Sequence, residues 1–593
     1  MPLPRPLFAL AAFFSAALFV TPPARAADHA FDAWADAFAA EWMRANPAAA
    51  TTQQYFSGAE QDALDRLLTP IGPAARAARV ALAQRGLAEL GKFDRTQLDG
   101  AQRISAAMVQ WQLDDVVTGE PFDDFGFVFN QFRGLQVGLV NFLSQTHPVR
   151  HRRDIENYLA RLELVAAQLD TGLALATQRA ARGLVPPKFI LTATIDQIGR
   201  FLAPAPRQNV LVASLDERAA LLPEKILPAA DRAAFVASAE KIVAAQILPA
   251  FHRVRALLES QLSRATDAAG LSSLPGGAAA YANALRRNTT TALAPAEIHD
   301  LGLREVARIE AQMDALLRDA GLATGSVKER YEQLNARAQP AATPDPRPAL
   351  IARYTEILHD AEKRAALVFD LRPRAPCEVR REPPFTEKNA AAHYTAPAPD
   401  GTRPGVFWAP LPGPTFNIVQ MRTLVYHEAI PGHHFQVALQ GEMESLPRFR
   451  RDRVFGFLPA HAEGWALYAE RLAAENHWYD GDPLGAIGQL NSELFRARRL
   501  VVDTSLHAKN WTRQQAIDYG IPVSEVERYV VMPGQACAYK IGELRILELR
   551  AKAQRALGEK FSLKEFHNVV LRTGGVPLEI LAVAIDDWIR EKA

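Results

Sequence analysis

Along most of the chain, apolar residues recur at three- and four-residue spacing, which commits it to packed amphipathic helices. Ile155, Leu159, Leu162 and Val165 form one such stripe. Val306, Ile309, Met313 and Leu316 form another, inside a helix expected over residues 297–317. Ala, Leu, Arg and Glu dominate these stretches, and all four favour helix. The stripes read as core faces. Neither an internal repeat nor a low-complexity tract interrupts them.

One stretch departs from the pattern. Between Leu371 and Pro414 ten prolines crowd together, from Pro373 to Pro414 itself. Proline removes a backbone donor and clashes with the preceding turn, so no long helix survives there. Within it, Gly405-Val406-Phe407-Trp408 reads as a short strand. Pro410 favours an edge position for it, where a peptide could pair by strand addition; a buried strand is the other reading.

The first residues fit a targeting segment. Arg5 precedes an apolar run from about Leu7 to Val20, then Pro22-Pro23 and the small-residue frame Ala24-Arg25-Ala26. That order is expected of a secretory signal peptide, residues 1–26, cleaved after Ala26. The run is shorter than the roughly 20 residues a spanning helix needs. No later segment is expected to span either. The mature chain, 27–593, is expected to be periplasmic or secreted, with a helical half over 27–290 and a catalytic half over 291–593. Cys377 and Cys537 are the only cysteines, so neither a disulfide framework nor a lipidated cysteine near the cleavage site is expected. Without residues 1–26 the chain carries 65 basic and 66 acidic residues. Such a balance has no electrostatic footprint for nucleic acid or an anionic membrane. The oligomeric state is left open.

The chemistry concentrates in His427-Glu428-Ala429-Ile430-Pro431-Gly432-His433-His434. Zinc peptidases commonly place two histidines one helical turn apart, with a glutamate between them as base. Here Pro431 occupies the position one turn after His427. In an unbroken helix His433 would point away from His427, and His434 would share its face but lie roughly 10 Å along the axis. A bulge at Pro431-Gly432 brings His433 toward the position of a second ligand, so His433 is preferred and His434 is the alternative. A third ligand is expected from His461-Ala462-Glu463-Gly464-Trp465-Ala466-Leu467-Tyr468-Ala469-Glu470. An acid on the stripe of Leu467 is costly to bury without a cation, and Gly464 allows close approach of another helix. Glu463 is therefore the expected ligand. Glu470, about two turns on, suits a carboxylate that orients a ligating histidine.

HEAIPGHHFQ, AEGWALYAE, the run Arg499–His507 and the run Pro533–Gly542 resemble, in that order, the bacterial domain-of-unknown-function family 885. The resemblance extends from about Phe31 to the C-terminus. It implies a gluzincin-like metallopeptidase, mainly α-helical, with zinc bound by two histidines and a glutamate; the strand near residues 405–411 adds the expectation of a small β-sheet beside the active-site helices. The departure from HExxH leaves the second histidine open. Beside a zinc, Tyr539 and His507 are candidate donors to a developing oxyanion, and Arg499 and Asp503, one turn apart, read as an ion pair.

The expectation is one Zn2+ held by His427, His433 or His434, and Glu463, with Glu428 as base and a peptide as substrate. The competing readings are a zinc hydrolase of a non-peptide amide or ester, and a metal-binding helical scaffold without catalysis. Neither a GxSxG elbow nor a phosphate-binding glycine loop is present.

Overall fold

The computed structural model of the chain describes residues 29–342, 344–383, 387, 390–398 and 403–593. The expected signal peptide, 1–26, lies outside the described residues.

The chain is mainly helical, with one small sheet. The stripes noted in the sequence bury as core faces. Ile155, Leu162 and Val165 lie inside the helix Arg152–Ala181, and Val306, Ile309 and Met313 inside the helix Pro295–Asp319. The latter packs along Pro483–Ala508, and Pro459–Glu475 packs along Ala538–Leu557. These two long pairings carry Glu463, Glu470, Arg499 and Tyr539. Gly464 and Gly542 make the second pairing close. A Cβ on Gly464 would lie 2.5 Å from the Gly542 backbone, and one on Gly542 would lie 2.0 Å from the Ala460 carbonyl oxygen.

The apolar cores do not divide at residue 290. The largest joins the first helices (Phe31, Phe38, Leu113) to the last ones (Phe566, Leu581, Trp588) and to the helices around His427. A second core lies mostly within residues 129–258. The helical run Ala229–Gln261 belongs to it. By length and composition this run is apolar enough to cross a membrane, contrary to the expectation that none would be. Its stripe of Val236, Val243, Ile247, Phe251 and Val254 is spent on that second core.

The proline-dense stretch carries the sheet: β1 (Cys377–Arg381), β2 (His393–Thr395) and β3 (Gly405–Ala409), in the order β1-β3-β2. β3 pairs parallel with β1, Val379 opposite Phe407, and antiparallel with β2, Tyr394 opposite Phe407. The strand expected at an edge is therefore central. Pro410 falls just after Ala409, outside the ladder, so its missing N–H constrains nothing. Phe407 is fully buried and meets Tyr354 edge-on at 5.4 Å. β2 and β3 both touch the turn that carries His427.

Candidate metal centre and its surroundings

His427 and Glu428 lie in a π-helical turn, Val425–Ala429, closed by the Ile430 N–H donating to the Val425 carbonyl at 3.1 Å. The helix stops there. Ile430 is extended (φ −121°, ψ 123°), and a new helix, His433–Glu442, begins three residues later. This is a full break rather than the expected bulge inside one helix. Glycine at 432 is required by contact: a Cβ there would sit 1.9 Å from the His427 carbonyl oxygen. The indole N–H of Trp465 donates to the Pro431 carbonyl at 2.9 Å. Trp465 follows Glu463 by two residues, so the break is tied directly to the helix that carries the glutamate.

The break aims His433 back at His427. Their rings meet nearly perpendicular, with centroids 5.0 Å apart. Glu463 Oε2 stands 3.6 Å from His427 Nε2 and 3.4 Å from His433 Nε2. One ligand atom from each of the three residues lies within 4.8 Å of the others. Ligands about 2.0–2.2 Å from one tetrahedral zinc stand roughly 3.4 Å apart, so these separations fit the ion. Glu463 Oε2 is also buried without a hydrogen-bond partner. A charged oxygen in that state is costly unless a cation meets it, and two neutral imidazoles with a carboxylate are a zinc donor set.

Glu470 lies behind His427. Its Oε1 is 2.7 Å from His427 Nδ1, and the residue is fully buried. That contact leaves Nε2 of His427 facing Glu463, the orientation a ligating imidazole takes when a carboxylate holds its other nitrogen. Burial pulls the pKa of His427 down, but contacts with Glu463 and Glu470 and the charge of Glu428 raise it to about 9. Burial pushes Glu463 up, yet the two histidines hold its carboxyl well below the usual carboxylate range. Glu428 goes the other way: burial raises it, against the lowering pull of His427 and His433.

Tyr539 lies in the first turn of the helix Ala538–Leu557, which packs along the helix of Glu463. Burial and the charge of Glu463 raise its pKa. The Arg499 guanidinium stacks on its ring at 4.4 Å. Among the described residues its hydroxyl makes no hydrogen bond, so it is free to donate.

Two expected site residues lie elsewhere. His434 turns toward the sheet: its Nε2 donates to the Ala375 carbonyl at 3.1 Å, and its Nδ1 meets the Tyr394 hydroxyl at 2.9 Å. Both nitrogens are occupied, and burial pulls its pKa down to about 4. The geometry therefore removes His434 from the ligand set. His507 is also withdrawn. Its Nδ1 accepts from the Leu271 N–H at 3.1 Å, its Nε2 donates to the Tyr529 carbonyl at 3.0 Å, and its ring stacks on Tyr281. It has no nitrogen left for an oxyanion. Nor do Arg499 and Asp503 pair with each other. Arg499 binds Glu525, while Asp503 accepts from the Tyr281 hydroxyl and the Gly534 N–H. Cys377 and Cys537 are both buried free thiols.

A cleft of about 2700 Å³ opens between the first helices and the segment 448–459. His427, His433 and Glu463 are not in its wall. Its lining includes Pro459, at the start of the Glu463 helix, and Gln535, one turn before Tyr539 in sequence. Arg133 in that wall, and Arg496 near Glu428, were not singled out in the sequence. The basic run Arg496–Arg499 was the available signal for the second.

Known proteins resemble this chain over nearly its full length. A solved structure from Colwellia psychrerythraea, described as a candidate lipoprotein, is 30% identical and covers 94% of this chain and 100% of its own, with a TM-score of 0.85. A second, from Shewanella oneidensis, described as a candidate lipoprotein of unknown function, is 18% identical and covers 94% of this chain and 99% of its own, with a TM-score of 0.71; at that identity it shows the fold alone. No curated protein matches. The family described as "Bacterial protein of unknown function (DUF885)" matches residues 47–585, and this chain belongs to that family.

Proposed function

We propose that the protein is an exported zinc-dependent peptidase of gluzincin type. The observation that carries this reading is the buried, unpartnered Glu463 Oε2 between His427 Nε2 and His433 Nε2. His427, His433 and Glu463 would hold the ion, and Glu470 would keep the His427 ring in place. When bound, zinc supplies a Lewis acid that acidifies water and polarises a carbonyl.

The chain's own groups account for the rest. Glu428 sits beside His427 with its carboxylate pushed up by burial. A carboxylate so raised accepts a proton from the attacking water more readily than an ordinary one, and passes it to the departing amine. The Tyr539 hydroxyl donates to the carbonyl oxygen as negative charge builds on it. A site meant only to bind a metal has no use for a base at position 428. The apolar N-terminal run and the lipoprotein description of the relatives support an exported location.

Digestion of a peptide library, read by mass spectrometry with and without a chelator, tests the reading. Cleavage that the chelator abolishes and added zinc restores is expected. An absence of any cleavage after zinc reconstitution overturns it.

A further inference from the structure

Around Tyr539 the structure gathers several arginines, and Glu525 is the carboxylate that Arg499 and Arg528 hydrogen-bond there. Arg499 covers the tyrosine ring, donates from Nε to the Tyr529 hydroxyl at 3.0 Å and from Nη2 to Glu525 Oε2 at 2.8 Å. Its Nη1 is buried without a partner. Arg528 uses the same Glu525 at 2.7 Å and turns its other end to Gln535 Oε1 at 2.6 Å. A single carboxylate is thus shared by two guanidiniums.

Two further arginines hydrogen-bond no carboxylate among the described residues. Arg496 lies three residues before Arg499 on the helix Pro483–Ala508. Its Nη1 donates to the Ser492 hydroxyl at 2.5 Å, while its Nε is buried and unpartnered. Its charge acts on both Glu428 and Tyr539. Arg133 stands exposed in the wall of the large cleft, which Gln535 also lines, and it interacts with Tyr539 and Arg528. Arg133 thus stands in the cleft wall without a carboxylate partner among the described residues, near the Gln535 that Arg528 holds. Leaving such a cation partly desolvated and unpaired is unfavourable, and its planar fork matches a carboxylate.

We infer that Arg496 and Arg133, beside the Arg499–Glu525–Arg528 cluster, bind a carboxylate of the substrate, so that the enzyme selects peptides with a negative charge near the scissile bond. The inference rests on the peptidase reading. The charge has two chemical sources, the free C-terminus of a short peptide or an acidic side chain. In the first case the enzyme trims from the C-terminal end; in the second it cleaves next to Asp or Glu.

The test uses three acetylated probes: Ala-Ala-Ala as the free acid, Ala-Ala-Ala as the C-terminal amide, and Ala-Asp-Ala as the amide. Binding is measured by calorimetry on the Glu428→Gln protein and turnover on the wild type. One or both carboxylate probes should bind roughly 10- to 150-fold more tightly than the neutral amide, the range for hydrogen bonds to a charged group. Preference for the free acid assigns the terminal carboxylate; preference for Ala-Asp-Ala amide assigns the side chain. Arg496→Gln should remove most of the preference. Arg133→Gln, at an exposed position that poses no folding problem, should reduce it. Equal binding of all three probes overturns the inference, and that comparison needs no arginine variant. A carboxylate preference in binding without turnover of any probe or library peptide overturns the peptidase reading and leaves the anion site standing. Turnover without preference does the reverse.

Discussion

Glu428, a buried carboxylate, and Glu463, whose Oε2 is buried, belong to one site, and their surroundings push them in opposite directions. Glu463 faces two imidazoles and is held well below its ordinary pKa; burial drives Glu428 above its own. Titratable neighbours separated in this way take different chemical roles. Glu428→Gln, which keeps the shape but cannot accept a proton, should retain zinc and lose on the order of 100- to 10,000-fold in turnover. Glu463→Gln should lose zinc affinity as well. Elemental analysis beside a rate assay checks both, and two variants equal in metal and rate would break the division of roles. The adjacent histidines divide as sharply. His433→Ala should abolish tight zinc binding. His434→Ala should keep zinc but cost roughly 1–3 kcal/mol of stability, because it strands the Tyr394 hydroxyl and the Ala375 carbonyl. A metal-free His434→Ala beside a metal-replete His433→Ala would reverse the assignment.

At the scale of elements, the centre depends on two close approaches, the helix break at Gly432 and the crossing of Gly464 on Gly542. An alanine for glycine inside an exposed helix gains about 1 kcal/mol. At Gly542 the sign should invert, since the new methyl would lie 2.0 Å from the Ala460 carbonyl oxygen. Overpacking of this kind costs about 1–3 kcal/mol. Gly542→Ala should therefore lower the urea midpoint, and an unchanged or raised midpoint would refute the tight crossing. The sequence made these elements legible unevenly. Helical stripes such as Ile155–Val165 are local and were plain. So was the pairing of Glu428 with His427, and Pro431-Gly432 announced a disruption. The fates of His434 and His507 were not legible, because their partners are distant in sequence: Ala375 for the first, and Leu271, 236 residues away, for the second. β3 was misplaced at an edge for a related reason. A proline just beyond a strand looks the same in sequence as one inside it. The arginines around Tyr539 come from separated segments, so their convergence could not be read from any one run.

The whole molecule carries its own response to acid, through two buried histidines outside the His427–His433–Glu463 cluster. His147 is buried, accepts on Nδ1 from the Arg161 guanidinium at 2.7 Å and donates from Nε2 to the Asp154 carbonyl at 2.9 Å. His567 donates from Nδ1 to the Val368 carbonyl at 2.8 Å and accepts on Nε2 from the Tyr468 hydroxyl at 2.8 Å. Each is fixed as the neutral imidazole, because a second ring proton would point at a donor. Burial accordingly pulls His147 down to about 4 and His567 to about 3, below the ordinary imidazole value of 6.5. The unfolded chain takes up these protons near pH 6.5 while the folded chain does not. Stability should thus be fully present above pH 6.5 and fall as the pH drops toward 4, by about 1.4 kcal/mol per pH unit for each histidine. The two lie in different parts of the fold. His147 and Arg161 tie the second core to Leu67 and Thr51, and His567 stacks on Phe369 in the first core. Acid should loosen both together. Urea midpoints at pH 7.5 and pH 5 for the wild type, His147→Gln and His567→Gln measure this. Each variant should be less stable at pH 7.5 and show a shallower loss between the two pH values. A variant with the wild-type slope would mean that its histidine is already protonated in the fold, and that the neutral tautomer inferred from its partners is wrong.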